Sequence, residues 1–229
     1  MSEPTPPHYR GIRSFVLREG RMTASQQRAL ATLLPRYALP SEGTLDLRGS
    51  FDRIAPVCLE IGTGNGDNLL ACATAHPETD YIAAEVHRPG IGHLLNGIGR
   101  ACLRNVRVWP GDVQDLLARL PAESLDMIYV FFPDPWPKAR HHKRRLLRGS
   151  TWGGMHRCLA RHGRLYVATD WADYAEDIAA ELRELSGWRN LAGRGVLAPR
   201  PCQRILTRFE SRALAAGRAV HDFILARRD

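Results

Sequence analysis

The sequence predicts a doubly wound, mostly parallel α/β sheet with an antiparallel edge. From Val57 onward short apolar runs alternate with helical stretches, and strands spaced by helices of that length pair in parallel through crossover connections. The first run ends in alternate glycines that open directly into a helix, an arrangement that lets backbone approach a ligand where a Cβ would not fit. No internal repeat or low-complexity block breaks this order.

Residues 1–50 read as a basic N-terminal arm with one helix, partly mobile, and residues 51–229 as the domain that carries the chemistry. Residues 1–9 are Pro-rich and polar, as in a mobile tail. Arg10, Arg13, Arg18 and Arg21 make a weak basic arm, and Thr23-Ala24-Ser25-Gln26 has capping-box spacing for a helix ending near Pro35. After a loop with Pro40 and Gly43, periodicity predicts strands at 57–61, 81–86, 106–109, 125–132 and 165–169. Helices are predicted at 68–75, 91–103, 114–120 and 174–185, the last with Ile178, Leu182 and Leu185 on one face. Beyond a Gly- and Pro-rich loop at 193–201, residues 205–209 and 222–226 read as a final antiparallel pair at the sheet edge.

With 229 residues, 44% of them apolar, the chain can bury a core sufficient for one α/β domain or two small ones, which excludes disorder as its main state. The longest apolar run, 127–132, is far short of the roughly 20 residues that span a bilayer, and the first residues lack the apolar core of a signal peptide. These features predict a soluble, cytoplasmic protein with no membrane partner and no obligate protein partner evident. Cys58, Cys72, Cys102, Cys158 and Cys202 are widely separated with no C-x-x-C pair, which fits small core residues in a reducing compartment and neither a disulfide framework nor a metal site.

The net charge of +8 is unevenly placed. Between Pro135 and Thr169 there is no acidic residue, while Lys138, Arg140, Lys143, Arg144, Arg145, Arg148, Arg157, Arg161 and Arg164 supply nine positive charges. Setting those nine aside leaves 23 basic residues against 24 acidic ones, so the remainder is nearly neutral. A cationic stretch of this kind attracts polyanions; a solvated helix face would interleave acids. His141 and His142 within it have no third partner for a metal.

The first strand ends in Glu60-Ile61-Gly62-Thr63-Gly64-Asn65-Gly66, the second in Glu85, and the third is followed by Gly111-Asp112. Glu85 is placed to accept from ribose hydroxyls and Asp112 from an adenine amino group. Glu60 beside the glycine turn would repel the pyrophosphate of a nicotinamide dinucleotide and suits the sulfonium and ammonium of S-adenosyl-L-methionine. The fourth strand runs into Phe132-Pro133-Asp134-Pro135-Trp136, where two prolines stiffen the loop and aim the carboxylate at the crevice at the strand ends.

At this motif the chain resembles the bacterial-type tRNA (guanine-N(7)-)-methyltransferase family, from about Arg13 to the C-terminus. The resemblance rests on Glu60-Ile61-Gly62 with its glycines, the run Glu85 to Gly90, Phe131 to Trp136 with Lys138 and the Arg140 to Arg145 run, Ala168 to Trp171 with Tyr174-Ala175, and Thr207-Arg208-Phe209-Glu210. Thr63, Pro137 and Arg208 depart from residues common in the family. The resemblance implies a class I S-adenosylmethionine-dependent methyltransferase fold and methylation of a guanine at position 46 in the tRNA variable loop. It implies that Glu60, Gly62, Gly64, Glu85, Asp112 and Asp134 bind the cofactor, that Asp134 is catalytic, and that Lys138, Asp170 and the stretch Thr207, Arg208, Phe209 and Glu210 contact the tRNA.

Guanine N7 already exposes a lone pair, so the expected catalysis is alignment, with Asp134 accepting from the N1–H and exocyclic amino group and favouring the charge that develops on the ring. Trp136 and Phe132 could stack on the base or pack in the core, and Asp170 could cap the helix that follows it. Alternatives are a methyltransferase acting on another RNA, a small molecule or a protein side chain, an RNA-binding module with an inactive pocket, and a nicotinamide oxidoreductase.

Overall fold

The computed structural model describes residues 13–15 and 20–228, so the expected tail at 1–9 lies outside the described residues. Seven strands form one sheet: β1 (Val57–Ile61), β2 (Asp80–Ala84), β3 (Val106–Trp109), β4 (Leu125–Phe131), β5 (Leu159–Thr169), β6 (Trp188–Asn190) and β7 (His221–Arg227). Their order is β3-β2-β1-β4-β5-β7-β6, parallel from β3 to β5, with β7 antiparallel to both of its neighbours. The chain winds outward from β1 in one direction to β3 and then returns to β4 on the other side. Such a reversal opens a crevice at the carboxyl ends of β1 and β4.

Strand periodicity sorts the core onto two faces. Val57, Leu59 and Ile61 point to one side, where they meet α6 (Val113–Arg119), α7 (Ser150–Cys158) and α8 (Ala172–Glu184) through Leu116, Met155 and Ile178. Cys58 points to the other, with α4 (Asp67–Ala75) and α5 (Arg88–Arg100) supplying Leu69, Leu94 and Ile98. Of the five cysteines, Cys58, Cys72 and Cys158 are buried as expected, whereas Cys102 and Cys202 are exposed. No described helix is long and apolar enough to cross a membrane.

The capping box forms: Thr23 Oγ1 accepts from Gln26 N at 3.2 Å and Gln26 Oε1 from Thr23 N at 2.8 Å, opening α1 (Ala24–Thr32). Where one helix is expected before residue 50, two shorter ones also form, α2 (Leu34–Tyr37) and α3 (Leu47–Phe51). Helix α1 packs across α5 at Gly92, where an added Cβ would lie 2.8 Å from Gln26 Cβ and 3.0 Å from its backbone oxygen.

The expected pairing of 205–209 with 222–226 does not occur. Strand β7 pairs with β5 and β6, and Thr207 instead caps α9 (Arg208–Ala215), its Oγ1 accepting from Glu210 N at 3.1 Å. Thr-x-x-Glu is a helix-start signal, and it prevails over the strand-like Ile205-Leu206 pair. The three residues of β6 are too few for a periodicity to register, and α7 escapes sequence reading because Gly153 and Gly154 weaken its helical pattern.

Substituting Gly92→Val forces a branched side chain into the α1–α5 contact. The expected loss is about 1–3 kcal/mol, as for overpacking elsewhere, read as a lower urea midpoint at unchanged m-value.

Candidate active site

A cavity of about 640 Å³ opens at the carboxyl ends of β1, β2 and β4. Glu60, Gly62, Gly64, Glu85, Asp112, Asp134, Thr207, Arg208 and Phe209 all line it, so residues from five separate stretches of the sequence converge there. Lys138, Asp170 and Glu210 do not line it.

One end is a glycine cradle walled by acids. Gly62, Gly64 and Gly66 all have positive φ, and at Gly66 (φ 82°) a Cβ would also lie 2.5 Å from Leu94 Cδ1. Glu85 follows β2 and ties the cradle together: its Oε2 accepts from Gly64 N at 2.6 Å, and its Oε1 from Val86 N at 2.7 Å and His87 N at 2.8 Å. Three of about four carboxylate acceptor positions are thereby used by backbone, more than the sequence reading foresees. Asp112 caps α6, its Oδ1 accepting from Gln114 N at 3.0 Å. Glu60 is buried, and Asn68 Nδ2 donates to its Oε2 at 2.9 Å. Burial pushes the Glu60 carboxyl up to about 7, against the Asn68 hydrogen bond and with a smaller push from Glu85.

Asp134 forms the opposite wall. It is exposed, and among the described residues no hydrogen bond or ion pair occupies its carboxylate. Its backbone is braced: Phe132 (φ 53°) and Trp136 (φ 47°) bracket the Pro133-Asp134-Pro135 turn in left-handed conformations that bulky residues rarely adopt. Phe132 N donates to Ala168 O at 2.8 Å, Arg145 Nε to Pro135 O at 2.9 Å, and Trp136 Nε1 to Ser14 O at 3.2 Å. Phe132 and Trp136 are half-buried along the cavity, and the Arg144 guanidinium lies 5.1 Å from the Trp136 ring centre.

The cationic stretch is smaller in space than in sequence. Arg145 is buried and paired with Asp173 and Asp177 of α8, acids that the local sequence does not reveal. Arg157 donates to the carbonyls of Leu117 and Leu120, and Arg164 to those of His162 and Gly163. Arg148 lies 3.7 Å from Glu181 and Arg161 3.8 Å from Glu123. Among the described residues, Lys138, Arg140, Lys143 and Arg144 have no carboxylate partner, and they cluster on and beside the 3₁₀ helix Ala139–Arg144 that follows the Asp134 turn.

Two expected substrate contacts have other partners. The Asp170 carboxylate accepts from Arg218 Nε at 2.8 Å and does not cap α8, whose N-cap is Trp171. Glu210 is buried and receives Arg204 and Arg200, with Arg204 reaching Asp222 of β7 as well. Burial opposes ionisation of Glu210, but the two guanidiniums outweigh it and hold the carboxyl below its ordinary value. Arg204 also lies over the rings of Phe131 and Phe132, 5.3 and 5.6 Å from their centres, so one buried cation joins α9, β7 and the end of β4. Sequence reasoning misses it because no local pattern marks a buried arginine. Among the described residues no group of three metal-ligating side chains is assembled.

This strand order, with its antiparallel penultimate strand and its acid-lined cradle after β1, is that of a class I S-adenosylmethionine-dependent methyltransferase. A solved rRNA methylase from Streptococcus thermophilus shares the fold, with TM-score 0.53 at 10% identity over 92% of this chain and 100% of that one. The methyltransferase family Methyltransf_4 matches residues 54–223. The tRNA (guanine-N(7)-)-methyltransferase of Nitrosospira multiformis is 50% identical over 97% of this chain and 96% of its own, and that of Hydrogenovibrio crunogenus 45% identical over 97% and 93%. The chain belongs to the tRNA (guanine-N(7)-)-methyltransferase family.

Two outcomes follow from the buried charges. Replacing Arg204 with Met leaves buried Asp222 without its cation and Glu210 with Arg200 alone, and lowers stability by about 3–5 kcal/mol, measured by urea unfolding. Glu60 behaves oppositely to a paired acid: its folded value is raised, so between about pH 4.5 and 7 the folded state holds a proton that the unfolded state has released. Its contribution therefore declines as pH rises through that window, and Glu60→Gln removes this part of the slope in a series of melts.

Proposed function

We propose that this protein transfers a methyl group from S-adenosyl-L-methionine to N7 of a guanine in the tRNA variable loop, position 46. The observation that carries the reading is the location of Asp134, an unengaged carboxylate between an acid-walled glycine cradle and an unpaired basic helix. Family membership supports the tRNA and guanine N7 specificity.

The donor set fits the proposed cofactor. Glu60 and Glu85 suit a cationic ligand with ribose hydroxyls better than a pyrophosphate, and Gly62 and Gly64 line the cavity at positive φ without a side chain to fill it. Bound there, S-adenosylmethionine supplies an electrophilic methyl on a sulfonium. Glu60 would favour the positive end of that ligand, Glu85 and Asp112 would accept from its ribose and adenine, and Gly62 and Gly64 would allow close approach of backbone.

Asp134 would receive the guanine N1–H and amino group, which selects guanine over adenine and favours the cationic ring that results. Because N7 carries its lone pair in the plane of the neutral base, no side chain has to remove a proton before attack. The brace of Pro133, Pro135 and Arg145 would then lower the barrier by alignment. Lys138, Arg140, Lys143 and Arg144 would bind phosphates of the folded tRNA and set its register, with Thr207, Arg208 and Phe209 at the cavity mouth. Asp170, paired with Arg218 at the end of β5 and outside the cavity lining, would contact the tRNA beyond the cavity, and Glu210 would serve the tRNA contact indirectly, by holding the start of α9.

Incubation of the purified protein with unmodified tRNA and methyl donor, followed by mass mapping of nucleosides, should yield 7-methylguanosine at position 46 and nowhere else. Asp134→Asn should reduce turnover by about 100-fold or more while S-adenosylhomocysteine affinity, read by calorimetry, stays within a few-fold. Methylation at another position overturns the site assignment, and unchanged turnover overturns the role of Asp134.

A further inference from the structure

The stretch that brings Thr207, Arg208 and Phe209 to the cavity mouth is tied by a single side chain to the opposite end of the same cavity. Asn68 lies in the first turn of α4 and is buried. Its Nδ2 donates to Glu60 Oε2 at 2.9 Å, while its Oδ1 accepts from Ile205 N at 3.1 Å, across 137 positions of sequence. One turn further along α4, Cys72 Sγ donates to Gln203 O at 3.3 Å. The backbone on either side of Arg204 is thus bound to α4, while the Arg204 side chain grips Glu210 and Asp222.

A primary amide presents its donor and its acceptor on one rigid plane, so a single orientation of Asn68 satisfies both ends. Turning the amide over would set its oxygen against Glu60 and its NH₂ against the Ile205 N–H. Any ligand that keeps Glu60 ionised strengthens its acceptance from Nδ2, and the amide so fixed presents Oδ1 to Ile205. Two residues later Thr207 begins α9 and Phe209 stands 59% exposed at the cavity wall.

We propose that Asn68 is a positioning residue that couples occupancy of the cradle end of the cavity to the placement of residues 205–209 at its mouth, so that S-adenosylmethionine-type ligands and tRNA bind cooperatively. This rests on the function proposed above. Linkage makes the coupling reciprocal: the factor by which tRNA tightens the small ligand equals the factor by which the small ligand tightens tRNA.

Calorimetric titration with S-adenosylhomocysteine, alone and with saturating unmodified tRNA, measures that factor. The wild-type protein should bind S-adenosylhomocysteine about five-fold or more tighter with tRNA present. In Asn68→Ala, which loses both hydrogen bonds, the ratio should fall to near one. Asn68→Asp retains an acceptor for Ile205 but cannot donate to ionised Glu60: it should bind S-adenosylhomocysteine weakly with or without tRNA, at a ratio near one, while binding tRNA alone as the wild type does. Cooperative thermal melts of both variants establish that they fold, and a merely structural role would lower affinities without abolishing the ratio. A ratio of one in the wild type, or the same ratio in wild type and Asn68→Ala, overturns the coupling alone. No heat with S-adenosylhomocysteine in the wild type overturns the functional reading and the coupling with it.

Discussion

Arg145 reaches from the end of the 3₁₀ helix back to the carbonyl of Pro135 and across to Asp173 and Asp177 of α8, and the geometry of the Asp134 turn depends on that span. A turn bracketed by two bulky residues at positive φ stores about 1–3 kcal/mol at each, and would relax without something to hold it. A guanidinium suits the task because its planar fork can meet a carbonyl and two carboxylates at once, where an ammonium is a point charge. By pairing with Asp173 and Asp177, Arg145 also engages two of the α8 acids nearest its exposed neighbours. The same residue therefore fixes a carboxylate on one side and leaves a cationic surface on the other.

The carboxylates around the cavity divide by how much of each is already engaged. Glu85 is largely occupied by backbone N–H groups, which hold it in the scaffold and leave about one acceptor position for a ligand. Glu60 keeps one side-chain partner and sits where burial works against its charge, so a cation entering the cavity would relieve a cost that the ligand-free protein bears. Asp134, at the rim, has no partner for its carboxylate among the described residues. From Glu60 inside the cavity to the 3₁₀ helix beyond its edge, the electrostatic character changes from acidic to basic, which suits the proposed reaction between a cationic donor and a polyanionic acceptor.

Much of this arrangement is legible in the sequence. The glycine turn after β1, the acids after β2 and β3, and the Pro-Asp-Pro loop after β4 each sit at a strand end, and in an open parallel sheet strand ends share one crevice. Local signals therefore sufficed to place Glu60, Glu85, Asp112 and Asp134 together. What stays hidden is the polar side chain whose partner is distant in sequence: Arg204 with Asp222, Arg145 with Asp177, Asn68 with the backbone of Ile205. Such pairs leave no periodicity, and a run of arginines reads as uniformly exposed until a neighbouring helix claims some of them. Residues 205–209 were misread for a related reason, since a helix cap and a short apolar strand compete over the same few residues and only tertiary context decides between them.

Strand β7 lies between β5 and β6, although it follows both in the chain. Until it inserts, β5 presents an open row of N–H and C=O groups along Leu165 and Val167, and Arg204 has no Asp222 to meet. An unfilled slot of this kind is a template for intermolecular strand addition. Because the pairing strand returns across some sixty positions, from Leu165 to Leu225, this contact belongs to the slow, non-local kind. Any state in which β7 is unpaired thus exposes this chain to self-association, and the buried arginine, which meets Asp222 only when β7 is in place, acts as a latch on the completed sheet.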